Sequence, residues 1–353
     1  MRIRIRNKRR FFISISILIL LIIIAINGKQ SLNKSAASDV IDSKNTNSNK
    51  SDNKSGSSIS FSKDGSIFFE ESNYFKKYII KLVDKEHYKG YKEDNKNIYV
   101  DIKNIDKHKL NSNSFKEQDQ NIFLSKVDGN NKLTIKKDFN NNNFVYLNQL
   151  TNELLVLISK KKNPFAHTVI VDPGHGGGDP GTEAYDKSFL EKEVTLKIAL
   201  EMRHELIFNG KKVVMTREDD LGKNEYLALQ RIADIANENN GDAFVSIHIN
   251  SYDKSNIYNG VSAYYTKTNS VPEKSEAMAR KIQERILTSD NWNDREVKFE
   301  DFKVIRLAKM PAVLVECGFA SNPDDVRRLN DNQALNNLAK NISAGIIAYL
   351  DDK

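Results

Sequence analysis

Disulfides can be set aside first. The 353-residue chain has a single cysteine, Cys317, so no intrachain bridge can staple it. Hydrophobic residues make up 39% of the chain. That is little for this length, and long polar stretches account for part of the deficit. No GK[ST] follows any glycine-rich segment, which excludes a Walker phosphate loop. No acidic residue occurs in the first 27 positions, while Arg2, Arg4, Arg6, Lys8, Arg9 and Arg10 stand there. Those six cations leave only +1 of the net charge of +7 for the rest of the chain (7 − 6 = 1), so the basic balance is a targeting feature and no nucleic-acid footprint.

The basic end runs into residues 11–26, which are uncharged and dominated by Ile and Leu. Such a run is a signal-peptide core or a short membrane anchor. No small-x-small cleavage site follows closely and no cysteine is nearby for lipidation, so residues 1–27 are expected to stay as an anchor with the basic end cytoplasmic. Residues 28–58 are rich in Ser, Asn, Lys and Asp and nearly free of apolar side chains. They cannot bury enough surface to order themselves and are expected to be a flexible tether. The body beyond would then work on the extracytoplasmic side of the membrane.

Residues 59–162 read as a small β-rich domain. Strands are expected at 78–83, 97–103, 132–137, 144–147 and 153–159, and short strands at this spacing suggest a sandwich. His87 and His108 are isolated there and read as solvated loop residues.

Residues 163–353 alternate strands and helices. Strands are expected at 168–172, 212–216, 243–248, 261–265, 302–307 and 312–316, and helices at 191–208, 225–239, 273–287 and 333–350, with a further helix start at Asn322-Pro323-Asp324. This order predicts an α/β fold: a mostly parallel mixed sheet with helices on both faces.

Within this domain the stretch TVIVDPGHGGGDPGT is the focus. A β-branched strand ends at Asp172, Pro173 and Gly174 stop it, and His175 follows in a glycine-rich loop at the strand's carboxyl end, where α/β sheets bind ligands. Gly176 to Gly181 also fits GxGxxG, but Asp179 would repel a pyrophosphate and Pro180 lacks an N–H to bind one. Three more polar residues stand at matching places: His248 at the end of SIH, Glu316 at the end of AVLVE, and Glu191 at a helix start. Carboxyl ends of parallel strands share one edge, so the four can meet. Two imidazoles and a carboxylate make a common catalytic zinc set, with a second carboxylate left as base. Taken singly, Glu191 is better explained by the helix dipole than as a ligand, and His248 is explained equally well by a buried backbone bond. Glu316 after an apolar strand is harder to explain without a partner. By chemistry alone Glu193 rivals Glu191. His167 and His204 lack such placement and are expected at the surface. Arg217 and Asn250 lie beside the group; Arg217 either positions substrate or neighbouring groups, or only pairs with Glu218 or Asp219.

DPGHGGGDPGT, LEKEVTL, TRED, SIHIN and MPAVLVECGFASN, in this order, resemble the zinc-dependent N-acetylmuramoyl-L-alanine amidases. The resemblance covers about half the chain, from Thr168 onward. It implies zinc ligands at His175, Glu191 and His248, a catalytic base at Glu316, and peptidoglycan as substrate, cleaved between the lactyl group of muramic acid and L-alanine. It settles Glu191 over Glu193 and leaves Cys317 no role as nucleophile. More loosely, the β-rich domain resembles the AMIN modules that precede some wall amidases, by strand order and position only. Two rival readings remain at this point: a silent wall-binding or regulatory protein of the same fold, and a zinc carboxypeptidase. A chain starting near Lys162 is expected to fold and act alone on soluble substrates.

Overall fold

The computed structural model describes residues 59–60, 67–82, 87–102, 121–127, 130–223, 225–252 and 254–352. The expected anchor (1–27), the expected tether (28–58), His108, Val83 and Lys103 lie outside them. Among the described residues no helix is long and apolar enough to cross a membrane.

Among the described residues the β-rich part holds nine strands in two antiparallel sheets. One orders β1 (Ile59–Ser60), β2 (Ile67–Glu71), β3 (Phe75–Lys81), β9 (Glu153–Ser159) and β8 (Phe144–Asn148); the other orders β4 (Tyr88–Glu93), β5 (Asn97–Ile102), β7 (Asn130–Lys136) and β6 (Ile122–Val127). Period-two alternation puts Ile98, Val100 and Ile102 of β5 on the same side as Leu133 and Ile135 of β7. They share one core with Ile67, Tyr78, Leu154 and Val156 of the first sheet. Two sheets closed on a common core are the expected sandwich. The unforeseen strands are β1, β2, β4 and β6; in β4 the cause is charge, since YKGYKE is mostly exposed and gives no apolar alternation.

The carboxy-terminal part is a six-stranded sheet in the order β11 (Lys211–Met215), β10 (His167–Pro173), β12 (Ala243–Asn250), β15 (Ala312–Phe319), β13 (Val261–Tyr265), β14 (Asp294–Phe299). All pairings are parallel except that of β13 with β15. One face carries Val169, Val171, Val245, Ile247, Val313 and Val315 against α1 (Glu191–Phe208), α3 (Pro272–Ile286) and α6 (Asn332–Asp351). The other carries Ile170, Phe244 and Leu314 against α2 (Leu229–Glu238) and α4 (Lys303–Leu307). The mostly parallel mixed sheet with helices on both faces is as expected. The short helix α5 (Pro323–Leu329) begins where Asn322 accepts the N–H groups of Asp324 and Asp325 at 3.0 and 3.1 Å.

Three local expectations are corrected. Residues 302–307 form no strand: Lys303–Leu307 is the short helix α4, with Phe302 at its N-cap. Its Val304 and Ile305 cover the sheet beside Ile232 and Ala236, and so short an apolar run cannot tell the two states apart. The helix expected from Glu225 begins only at Leu229, because the Glu225 carbonyl turns back to accept Gly178 N–H at 2.8 Å. Strand β14 was not foreseen, since DREVKF is an edge strand without apolar alternation.

The two parts dock. Phe75, Leu157 and Ile207 are buried together, with Phe144, Tyr146, Phe165 and Phe208 packed around them. Ser72 Oγ donates to the Phe208 carbonyl at 2.6 Å, and the buried Lys77 ammonium lies 3.5 Å from Glu205 and 4.2 Å over the Phe208 ring. His204, expected at the surface, is buried here: it stacks on Tyr146 at 4.7 Å, with Nδ1 3.2 Å from Glu201.

Candidate metal centre

His175, Glu191 and His248 come together, each offering a ligand atom within 4.8 Å of the others. Three elements deliver them. His175 follows β10, Glu191 is the first residue of α1, and His248 lies near the end of β12. Glu191 Oε2 is 3.1 Å from His175 Nε2, and Oε1 is 3.1 Å from His248 Nδ1. The same two oxygens accept the N–H groups of Thr182 and Ile249, both at 2.9 Å. A carboxylate so fully bonded is fixed in orientation before any ligand arrives.

Glycine is needed here by geometry. A Cβ at Gly181 would stand 2.5 Å from Glu191 Oε2 and 2.8 Å from the His175 ring, and one at Gly174 would stand 2.5 Å from the His248 ring. His175 itself has φ of 63°, a left-handed conformation that a non-glycine residue holds only when its surroundings impose it. What imposes it is on both sides. Arg217, buried, donates to the carbonyls of Pro173, Gly174 and Lys192 at 3.1, 3.0 and 2.9 Å, and to that of Asp219 at 3.0 Å. Thr195 Oγ1 donates to Gly174 at 2.8 Å. Asp172 accepts from Thr216 Oγ1 and Ser246 Oγ at 2.6 and 2.7 Å, tying the ends of β10, β11 and β12 together. Arg217 therefore does not pair with Glu218, which bridges to Arg203 at 2.9 Å; it uses only the backbone of Asp219.

Burial pushes Glu191 toward its neutral form, but the hydrogen bonds and charges of His175 and His248 outweigh this and hold its carboxyl well below the usual range. Burial likewise works against charge on His175, yet Glu191 and Asp179 prevail and push its pKa up to about 9. Asp179 Oδ2 lies 3.1 Å from His175 Nδ1, placing a carboxylate behind this imidazole. Sequence reasoning took Asp179 only as an obstacle to phosphate; its spacing of four residues from His175 in a tight loop was the available signal. Glu193, the rival ligand, instead accepts the Leu190 N–H at 3.3 Å across the helix start.

Glu316 stands in register with His248 on the neighbouring strand. Its Oε2 is buried and has no hydrogen-bond partner among the described residues. Burial, helped by the Glu191 charge and opposed by His248, His175 and Lys298, pushes its pKa up to about 7. Cys317, the next residue, faces the opposite side of the sheet in the apolar core, where burial pushes its thiol well up. Asn250 lies two residues past His248, half-buried, with its carbonyl taken by Ala320 N–H at 2.8 Å. A cleft of about 160 Å³, open to solvent, runs beside His175 and His248 and is walled by Tyr226, Leu227, Leu229 and Phe302.

Residues 169–348, half of the chain, match the family model described as N-acetylmuramoyl-L-alanine amidase. The chain belongs to that family. Among relatives of this amidase family member is a probable cell wall amidase, LytH of Staphylococcus aureus, 36% identical over 193 residues, which are 54% of this chain and 61% of that protein. The chain thus matches about three fifths of that relative's length. The crystal structure of an N-acetylmuramoyl-L-alanine amidase from Clostridium difficile 630 is 34% identical and superposes with a TM-score of 0.50, covering 53% of this chain and 98% of that one. The fold of the amidase part agrees with that neighbour.

Proposed function

We propose that this protein hydrolyses the amide bond between the lactyl group of N-acetylmuramic acid and the L-alanine of the peptidoglycan stem peptide. The observation that carries the reading is the meeting of His175, Glu191 and His248 with Glu316 in register one strand away. Two imidazoles and one carboxylate, packed so that their glycine neighbours admit no side chain, fit a single zinc ion. When bound, zinc would polarise the lactyl carbonyl and lower the pKa of a water molecule toward about 7.

The chain's own residues do the rest. Glu316, with a pKa of about 7 and an unpartnered buried oxygen, is suited to take a proton from the attacking water and pass it to the leaving L-alanine nitrogen. The C–N bond breaks as the new C–O bond forms, giving a free lactyl carboxylate and a free amino terminus. No side chain is acylated, which agrees with Cys317 lying in the core. Arg217 acts as a positioning residue, holding the loop of His175 against α1, and Asn250, two residues past His248, would position substrate or groups beside the metal. Residues 1–27 would anchor the enzyme, 28–58 would tether it, and the β-rich part would sit between membrane and wall as a module comparable to AMIN.

Chelation should abolish release of stem peptide from purified muropeptides and zinc should restore it. Full activity in a metal-free preparation would overturn the assignment.

A further inference from the structure

One row of residues runs across the carboxyl edge of the sheet over four strands. His248 on β12 is in register with Glu316 on β15, and Glu316 with Ser262 on β13. Beyond Ser262 the pairing shifts. Val261 pairs with Asp294 and Ala263 with Val297, so Arg295 and Glu296 of β14 both stand opposite Ser262. This is a β-bulge, a device that re-aims side chains beside active sites. It is held at a cost: Glu296 has φ of 67°, and its N–H is taken by Asp294 Oδ1 at 2.8 Å.

The side chain brought inward is Arg295. Its guanidinium lies 5.4 Å over the Tyr258 ring and 5.9 Å from that of Phe319, the residue that pairs with Asn250. Aromatic stacking of this kind pre-orients the planar fork. Its Nε is buried without a hydrogen-bond partner, and among the described residues Arg295 makes no ion pair. Lys298, half-buried, rests 5.8 Å over the Tyr264 ring and also makes no ion pair there. Burial and the Arg295 charge push its pKa down, against Glu296, Asp294 and Glu316. Carboxylates lie near these two partly desolvated cations but none among the described residues is bonded to them, so an anion that reached both would relieve their mutual repulsion.

We propose that Arg295 and Lys298 form an anion site that takes a carboxylate of the stem peptide and so makes the enzyme prefer acidic over amidated peptides. The inference rests on the amidase reading. The carboxylate has two possible sources, the acidic residue following the alanine and the peptide's carboxyl terminus. The test uses muropeptides amidated at one, the other or both, with kcat and KM measured for each. The wild-type enzyme should favour the free acid at one position by about tenfold or more in kcat/KM, carried mainly by KM, as loss of a charge-assisted pair implies. Arg295→Gln and Lys298→Met should each flatten that preference, and Arg295→Lys should restore part of it. Thermal melts establish that each variant is folded. Equal kcat/KM for acid and amide in the wild type, or an undiminished preference in both folded variants, would overturn the proposal. If no substrate is cleaved, the amidase reading fails instead. Calorimetric binding of the same free peptides then still decides the anion site, with equal affinities for acid and amide counting against it.

Discussion

At the scale of single residues, the proposed function divides the four polar groups at the sheet edge into holders and a reactor, and substitution should separate them. Glu316→Gln keeps the shape but cannot accept a proton. It should retain one zinc per chain by elemental analysis while turnover falls by several orders of magnitude. His175→Ala should lose the metal. If Glu316→Gln lost zinc as readily, Glu316 would be a ligand. Metal uptake should also depend on pH in a defined direction. With its pKa pushed up to about 9, free His175 carries a proton at neutral pH, whereas a ligand imidazole must be neutral. Zinc affinity should therefore rise with pH until about 9, and binding at pH 7 should release protons, seen as buffer-dependent heats in calorimetry. Heats that do not change with the buffer would contradict this. These residues were legible in the sequence because each closes an apolar strand or opens a helix. Arg295 and Lys298 were not, since they lie on a charged edge strand whose bulge exists only once β13 is beside it.

At the scale of elements, the site depends on how closely the loop after β10 approaches the start of α1. Gly181→Ala tests this. The position has φ of 70° and a Cβ there would press on Glu191 Oε2. The strain alone costs about 1–2 kcal/mol, and the displaced carboxylate should weaken zinc binding by about tenfold or more, as disturbed supporting groups do. Circular dichroism should remain that of the folded protein; unchanged zinc affinity would show that the loop yields. The sheet and its main helices could be read from periodicity, because buried β-branched runs alternate with long amphipathic ones. Residues 302–307 could not, because four apolar residues among six positions fit a strand or one helical turn equally and only the neighbouring α2 decides. The late start of α2 likewise depends on a long-range bond, from Gly178 to Glu225.

At the scale of the whole molecule, the sequence suggested that a chain beginning near Lys162 would stand alone. The docked aromatic cluster alters what such a chain should look like. Phe75, Phe144 and Tyr146 would be gone, leaving Ile207, Phe208 and Phe165 uncovered and Glu205 without Lys77. The truncated protein should fold with a Tm lower by several degrees and a greater tendency to associate, and Phe75→Ala in the longer chain should destabilise by about 3–5 kcal/mol. Equal melting temperatures would mean that the docking contributes little. The organisation in two parts was visible in composition, but their contact was not, because it joins residues far apart in sequence, such as Ser72 and Phe208. The central claim is the bond that is cut, and one measurement reaches it most directly: digestion of muropeptides in water enriched in heavy oxygen, with mass analysis of both products. The account predicts one heavy oxygen on the lactyl carboxylate of the glycan and a stem peptide with a free, unlabelled L-alanine terminus. Label on a peptide carboxylate instead, or no cleavage by the zinc-loaded protein, would contradict it.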